Sequence, residues 1–132
     1  MPRLDYFLVA ESVSIDKDRS TLSIFHVCDA WQDRPPLLIP ELVAVSSWTM
    51  EPEDMGQDFQ ATLKIRLPGK QERPDLELHS INFTADHRRQ RTYHFVRGLR
   101  IEEPGEVEFR ILLNGQHKAS HYAWVIADEE KA

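Results

Sequence analysis

The chain has 132 residues, with 16 basic and 22 acidic side chains, 41% hydrophobic residues and one cysteine. This length and apolar content predict a single domain with a sizeable core and exclude a disordered chain. One cysteine excludes an internal disulfide and a metal cluster held by several thiolates of one chain.

The amino-terminal segment has only a short apolar stretch, Tyr6–Ala10, between Asp5 and Glu11. A secretory signal needs a longer uncharged segment, and a membrane helix needs about 20 apolar residues. We therefore expect a soluble, cytoplasmic protein with no membrane association. We expect one domain over 1–132, in which 128–132 form a short polar carboxy-terminal tail.

Short runs of alternating apolar and polar residues predict strands along the whole chain. The first two strands are expected within Leu4–Ile15 and over Thr21–Cys28, joined by a charged hairpin loop. The segment 30–40 contains three prolines, including Pro40, and predicts a crossover between sheets, because proline cannot donate a ladder hydrogen bond. Leu42–Trp48 is apolar on both faces at its start and predicts a central strand.

The clearest alternation is that of Phe59–Leu67, which places five apolar side chains on one face and four polar ones on the other. Because successive strand side chains point to opposite faces, this run predicts a sheet with one exposed side. Further strands are expected over Leu76–Thr84 and from about Tyr93 to Ile101.

The last two strands, Glu106–Leu113 and Gln116–Ala127, flank Asn114-Gly115, which is typical of a type I′ hairpin turn. Regular counting outward from this turn predicts the pairs Leu113–Gln116, Phe109–Ser120, Glu108–His121 and Val107–Tyr122. In that register one face of the hairpin, expected to lie in the core, contains the side chains Val107, Phe109, Ile111, Tyr122, Trp124 and Ile126.

About eight short strands with little or no helix predict an all-β fold, an antiparallel β-sandwich of immunoglobulin-like or jelly-roll-like type. A closed barrel is the alternative, because the number of strands alone does not separate the two architectures.

Three segments of the chain are distinctive: the opening 4–16, LDYFLVAESVSID, the segment 56–63, GQDFQATL, and the closing 104–115, from Pro104-Gly105-Glu106 through Leu113-Asn114-Gly115. Together they resemble an uncharacterised family of small bacterial proteins of about this length. The resemblance covers nearly the whole chain and implies a β-sandwich. It carries no activity, no catalytic residue and no cofactor to this sequence.

His26 and Cys28 are candidate zinc ligands, because they lie two residues apart on a predicted strand and so share a face. A zinc site would need further ligands from another strand, for which His79 and His94 are available. The alternative is that Cys28 is a small apolar core residue and His26 a half-buried strand residue.

Asp16 and Asp18 in the first hairpin loop are candidate calcium ligands, if acids from other loops join them. Aspartates in such loops more often hydrogen-bond their own backbone and form the turn. We assign no metal and no cofactor, because a metal site needs three or four converging groups. We also assign no catalytic residue, since neither a nucleophile elbow nor a phosphate-binding glycine loop occurs.

The segment 87–101 contains five arginines and no acid, in a chain whose formal net charge is −6. Arg88, Arg89, Arg91 and Arg97 are therefore the candidate partner-binding residues, because guanidinium groups make planar contacts with carboxylates and phosphates.

Tyr93 and Phe95 are interleaved with these arginines, as in surfaces that bind single-stranded nucleic acid. The net charge of −6 and the pI of about 5.5 oppose that interpretation. The alternative to partner binding is that acids on neighbouring strands neutralise the arginines within the protein. The available acids are Glu77, Glu102, Glu103, Glu106 and Glu108.

The three tryptophans offer a further binding hypothesis. Trp31 with Asp29, Gln32 and Asp33 beside it is a candidate carbohydrate platform, or it covers one open end of the sandwich. Trp48 and Trp124 are expected to fill the core, because large rings contribute heavily to burial.

The leading functional hypothesis is a non-enzymatic module for protein interaction or self-assembly, which uses an exposed strand edge or the arginine-bearing face. The alternative is a small-ligand-binding or metal-binding sandwich, with or without enzymatic activity, that uses loops at one end. Nucleic acid is a less favoured partner than another protein or a second copy.

Overall fold

The structure of the protein, a computed structural model, describes residues 1–69 and 76–126, except for the side chains of 76–79. The expected polar tail 128–132 and Ala127, the predicted end of the last strand, lie outside the described residues.

Within the described residues, strands form two packed sheets, and a short 3₁₀ helix, Pro52–Asp54, follows the fourth strand. The strands are β1 (Arg3–Asp16), β2 (Thr21–Val27), β3 (Ala30–Trp31), β4 (Leu37–Thr49), β5 (Asp58–Arg66), β6 (Leu76–Thr84), β7 (Arg89–Ile101), β8 (Gly105–Leu113) and β9 (Gln116–Val125). Sheet A has the order β2-β1-β4-β7, and sheet B has the order β3-β9-β8-β5-β6. The predicted all-β sandwich is confirmed.

The core lies between the two sheets and follows the alternation read from the sequence. On β5, Phe59, Ala61, Leu63 and Ile65 are buried, as predicted. β4 pairs with β1 on one side and β7 on the other, which confirms the predicted central strand, and its Trp48 is fully buried.

β1 pairs with β4 from Arg3 to Ala10 and with β2 from Ala10 to Asp16. Beyond Ala10 the chain therefore forms a two-stranded hairpin arm, residues 11–27, that no longer pairs with β4. Arg91 Nη2 on β7 donates a hydrogen bond to the Ser20 carbonyl at the arm tip, at 3.2 Å. Because β2 and β7 are at opposite edges of sheet A, this contact requires the arm to cross the outer face of β4.

The outer side of β4 is buried, in agreement with this crossing. Val43 and Val45 alternate with the core residues Leu42 and Ala44, so they point away from sheet B, yet they are only 1% and 0% exposed. The arm thus acts as a partial third layer on sheet A.

The predicted crossover 30–40 is confirmed in its first part and wrong at Pro40. The chain leaves sheet A after β2, contributes β3 to sheet B and returns, but β4 already begins at Leu37 and includes Pro40. From Leu37 to Leu42 the only strand paired with β4 in the described part of the chain is β7. A strand with one neighbour tolerates proline, because one of its edges needs no ladder donors.

The last hairpin has the predicted turn and a different register. Asn114 and Gly115 both have positive φ, as a type I′ turn requires, and Leu113 pairs with Gln116. Lys118 is then an extra residue, because Leu112 pairs with His117 and Ile111 with Ala119. The predicted pairs beyond this β-bulge are wrong, and the observed pairs are Phe109–His121, Glu108–Tyr122 and Val107–Ala123.

A shift of one residue moves every following side chain to the opposite face of the sheet. The predicted core face is therefore confirmed on β8 and wrong on β9. Ala123 and Val125 are buried, whereas Tyr122, Trp124 and Ile126 are 42%, 46% and 47% exposed.

Deletion of Lys118 together with Ala119 is expected to destabilise the protein by at least about 3 kcal/mol. The regular ladder would then place Tyr122 opposite Phe109 and Trp124 opposite Val107, on the face that packs in the core. Deletion of Lys118 alone is the matched variant, because it removes only the extra residue and leaves every pair from Ile111–Ala119 onward in place, and it is expected to stay within about 1 kcal/mol of the parent. Urea unfolding of both variants measures the difference, and equal stability of the two would show that core packing does not determine the register of β9.

Candidate functional site

The structure does not bring His26 and Cys28 together, so their predicted common face is wrong. His26 is exposed and its Nδ1 lies 2.8 Å from Glu11 Oε2, whereas Cys28 is 5% exposed and belongs to the core cluster. His26 has φ +56°, and this positive φ breaks the strand alternation on which the prediction depended. His94 is fully buried and its Nε2 donates to the Ala61 carbonyl at 3.1 Å.

Asp16 has the turn-forming role that was the alternative to calcium binding. Its Oδ1 accepts hydrogen bonds from the backbone N–H of Asp18 at 3.1 Å and of Arg19 at 3.3 Å. Across the described residues, no group of three or more His, Cys, Asp or Glu side chains is placed to hold a metal ion. The side chain of His79 lies outside that description.

Trp31 is half-buried on β3 and packs against the core, as expected if it covers one end of the sandwich. Its ring also lines a hollow of about 400 Å³ with Glu11 and the start of β4. Asp29 and Asp33, the proposed polar partners of a carbohydrate platform, are not among the residues that line this hollow.

Four of the five arginines of 87–101 are exposed and Arg91 is half-buried, and several have acidic neighbours. Arg89 Nε lies 3.5 Å from Asp5 Oδ2, and Arg97 Nε lies 3.8 Å from Glu41 Oε1. Arg100 Nε lies 2.5 Å from Glu102 Oε1. Glu102 belongs to the predicted acid set, but it directly follows β7 and so is not an acid of a neighbouring strand. The acids that reach β7 from other strands, Asp5 of β1 and Glu41 of β4, were not predicted.

Two of the four candidate arginines are brought into one concave site. The hairpin arm and the outer face of β7 enclose a crevice of about 550 Å³, here called the arm crevice, which is lined by Ile15, Lys17, Ser20, Arg89, Arg91 and Tyr93. Arg88 instead lines a separate hollow of about 350 Å³ together with Arg3 and Met50, and Arg97 lines neither.

The arm crevice is a cationic site with one aromatic wall. Arg89, Arg91 and Tyr93 occupy every second position of β7 and so share its outer face. Lys17 comes from the hairpin loop on the opposite side of the crevice. In the described part of the chain no carboxylate lines the crevice. Such a set of groups binds carboxylate or phosphate oxygens through charge-assisted hydrogen bonds.

Both arginines of the crevice are held by neighbours that leave donors for a ligand. Arg91 gives one of its five N–H donors to Ser20, so others remain available. Arg89 is oriented by Asp5, whose two carboxylate oxygens also accept from Thr49 Oγ1 at 2.9 and 2.8 Å. Asp5 therefore links Arg89 of β7 to Thr49 at the end of β4.

Neither a protein-family model nor a curated protein sequence matches the chain. A solved structure with a similar fold is that of Pseudomonas fluorescens alkylpurine DNA glycosylase AlkC bound to DNA containing an abasic site analog. The TM-score is 0.60 at 12% identity, over 96% of this chain and 30% of that chain. At this identity the likeness is one of fold, and the chain spans less than a third of the glycosylase chain.

No helix in 1–69 or 76–126 combines the length and the apolar character needed to cross a membrane.

Burial raises the pKa of the Cys28 thiol from 9.0 to about 11, with smaller contributions from the charges of Glu11 and Asp29. At pH 8 the thiolate fraction of the folded protein is therefore expected to be about a hundredfold below that of the unfolded chain. Iodoacetamide alkylation at pH 8, with and without denaturant, measures this difference in rate. Because the unfolded thiol ionises first, stability is expected to fall as pH rises from 9.0 towards about 11.

Similar alkylation rates for folded and unfolded protein would contradict this placement of Cys28. Cys28→Ser is the matched control for the stability measurement, since a hydroxyl does not ionise over that range of pH.

Proposed function

We propose that the protein is a non-enzymatic binding module that takes a short acidic segment of another protein into the arm crevice. The observation that carries the proposal is the convergence of Lys17, Arg89 and Arg91 beside Tyr93, in a hollow whose described lining has no carboxylate. A carboxylate-rich segment complements this charge. The aromatic ring and the hydroxyl of Tyr93 suit a ligand that has both apolar and polar groups.

The groups in the crevice favour binding over chemistry. Guanidinium and ammonium groups donate hydrogen bonds and hold charge, but none of the lining side chains forms a nucleophile and base pair. The proposal also keeps the cytoplasmic location expected from the sequence. A single cysteine that is free and buried suits a reducing compartment.

A short acidic segment is favoured over nucleic acid on grounds of charge. The protein has a formal net charge of −6. Two acids also lie beside the crevice: Asp5 is close to Arg89 in space, and Asp16 precedes Lys17 in the sequence. A long polyanion would extend from three cations onto an acidic surface, whereas a few carboxylates fill the crevice alone. The glycosylase with the similar fold is bound to DNA in its structure, which makes single-stranded DNA the alternative to test.

We expect a fluorescein-labelled peptide of alternating glutamate and tyrosine to bind the protein at low salt, measured by fluorescence anisotropy. Arg89→Ala combined with Arg91→Ala is expected to weaken binding at least about tenfold, because two charge-assisted contacts are lost. Arg97→Ala is the matched control. It removes a β7 arginine whose neighbour is Glu41, outside the crevice, and is expected to leave binding unchanged.

Two outcomes oppose the proposal. Equal peptide binding by the double variant and the parent would remove the crevice as the site. Tighter binding of a single-stranded oligonucleotide than of the peptide, with loss in the same double variant, would assign the crevice to nucleic acid instead.

A further inference from the structure

The edge of sheet B at β9 has no strand of 1–69 or 76–126 paired with it over most of its length, and beside it the His121 Nε2 N–H donates to the carbonyl of Cys28, in the segment before β3, at 2.7 Å. β3 pairs only with Trp124 and Val125, so in the described part of the chain no strand pairs with Gln116–Ala123 on that side. Such an edge presents backbone N–H and C=O groups that another strand can bind.

The direction of these backbone groups follows from neighbouring hydrogen bonds. Trp124 N–H donates to the Asp29 carbonyl at 3.0 Å, and Ile126 N–H donates to the Trp31 carbonyl at 2.9 Å, both on the β3 side. The pairing of β9 with β8 is regular from Ala119 onward, so alternate residues repeat this orientation. The backbone groups of Ser120 and Tyr122 therefore point to the open edge.

Exposed aromatic side chains lie on the same strand. Tyr122 and Trp124 are 42% and 46% exposed, and their ring centroids are 6.4 Å apart with an interplanar angle of 30°. Tyr122 Oη donates to Glu108 Oε2 at 3.2 Å, and Ser120 Oγ donates to the same oxygen at 2.8 Å, so the tyrosine ring is held in place. Exposed Tyr and Trp side chains are typical of the residues that dominate binding energy in interfaces.

We propose that the open edge of β9 pairs antiparallel with β9 of a second copy, which joins the two sheets B into one continuous sheet. The aromatic pairs of both copies then lie on the same outer face, beside the new strand pair. This surface lies on sheet B, whereas the arm crevice lies on sheet A, so the two proposals stand independently.

The geometry favours a second copy over a different protein for two reasons. Antiparallel pairing of one edge with itself is self-complementary, because residue i meets residue j and residue j meets residue i about a twofold axis. The segment Gln116–Ala123 also contains no carboxylate, so two molecules of net charge −6 meet without acids in contact along the pairing strands. The open stretch is centred near Ser120, which places Ser120 of both copies close to the axis.

Sedimentation velocity of the full chain, over about three orders of magnitude in concentration, is expected to show a reversible dimer. Tyr122→Lys combined with Trp124→Lys is expected to raise the dimer dissociation constant at least about tenfold, because like charges replace the aromatic contacts. Phe95→Lys is the matched control. It changes an aromatic residue with 48% exposure on sheet A and is expected to leave dimerisation unchanged.

Hydrogen exchange of backbone amides tests the strand pairing itself. Protection of the Tyr122 N–H is expected to rise with protein concentration, because a dimer partner would accept its hydrogen bond. A protein that stays monomeric over the whole range overturns the proposal, even if another protein binds this edge. A dimer in which Tyr122 exchange does not change with concentration, or which Phe95→Lys disrupts as strongly, overturns it as well.

Discussion

The departure of β1 from β4 at Ala10 is the constraint on which the rest of the structure depends. Up to Ala10 the strand is an ordinary member of sheet A, and beyond it the chain pairs only with β2. This departure frees the hairpin arm to cross sheet A, where Val43 and Val45 become buried on the face that a two-layer sandwich leaves to solvent. It also leaves the start of β4 with one described neighbour, which is why Pro40 is tolerated inside a strand.

Much of the fold was predictable because local signals determined it. The alternation in Phe59–Leu67, the apolar start of Leu42–Trp48 and the Asn114-Gly115 turn each led to the observed element. The register beyond the turn was not predictable, because both faces of the strand carry apolar residues, Ala123 and Val125 on one face, Tyr122 and Trp124 on the other. Size alone favours burying the larger pair, but packing against the opposite sheet places the smaller pair inside.

The β7 half of the candidate site was predictable, because a local spacing in the sequence determined it. Arg89 and Arg91 stand two residues apart on a strand, so a common face followed from the sequence. Lys17 and Ser20 reach them only because the arm folds back, and the Arg91–Ser20 contact spans 71 residues of chain. No local pattern encodes a contact at that separation. The failure at His26 is different in kind, since one residue with positive φ separated two side chains that regular geometry would have aligned.

The arm forms one wall of the crevice, and this has a consequence for how affinity can be tuned. Ile15 lines the crevice, and Val13, two residues earlier, lies on the same side of the arm and pairs across it with Ile24. These apolar side chains belong to the arm that carries Lys17 and Ser20. A substitution there that loosened the arm would lower the apparent affinity for a ligand without altering any charge that the ligand meets.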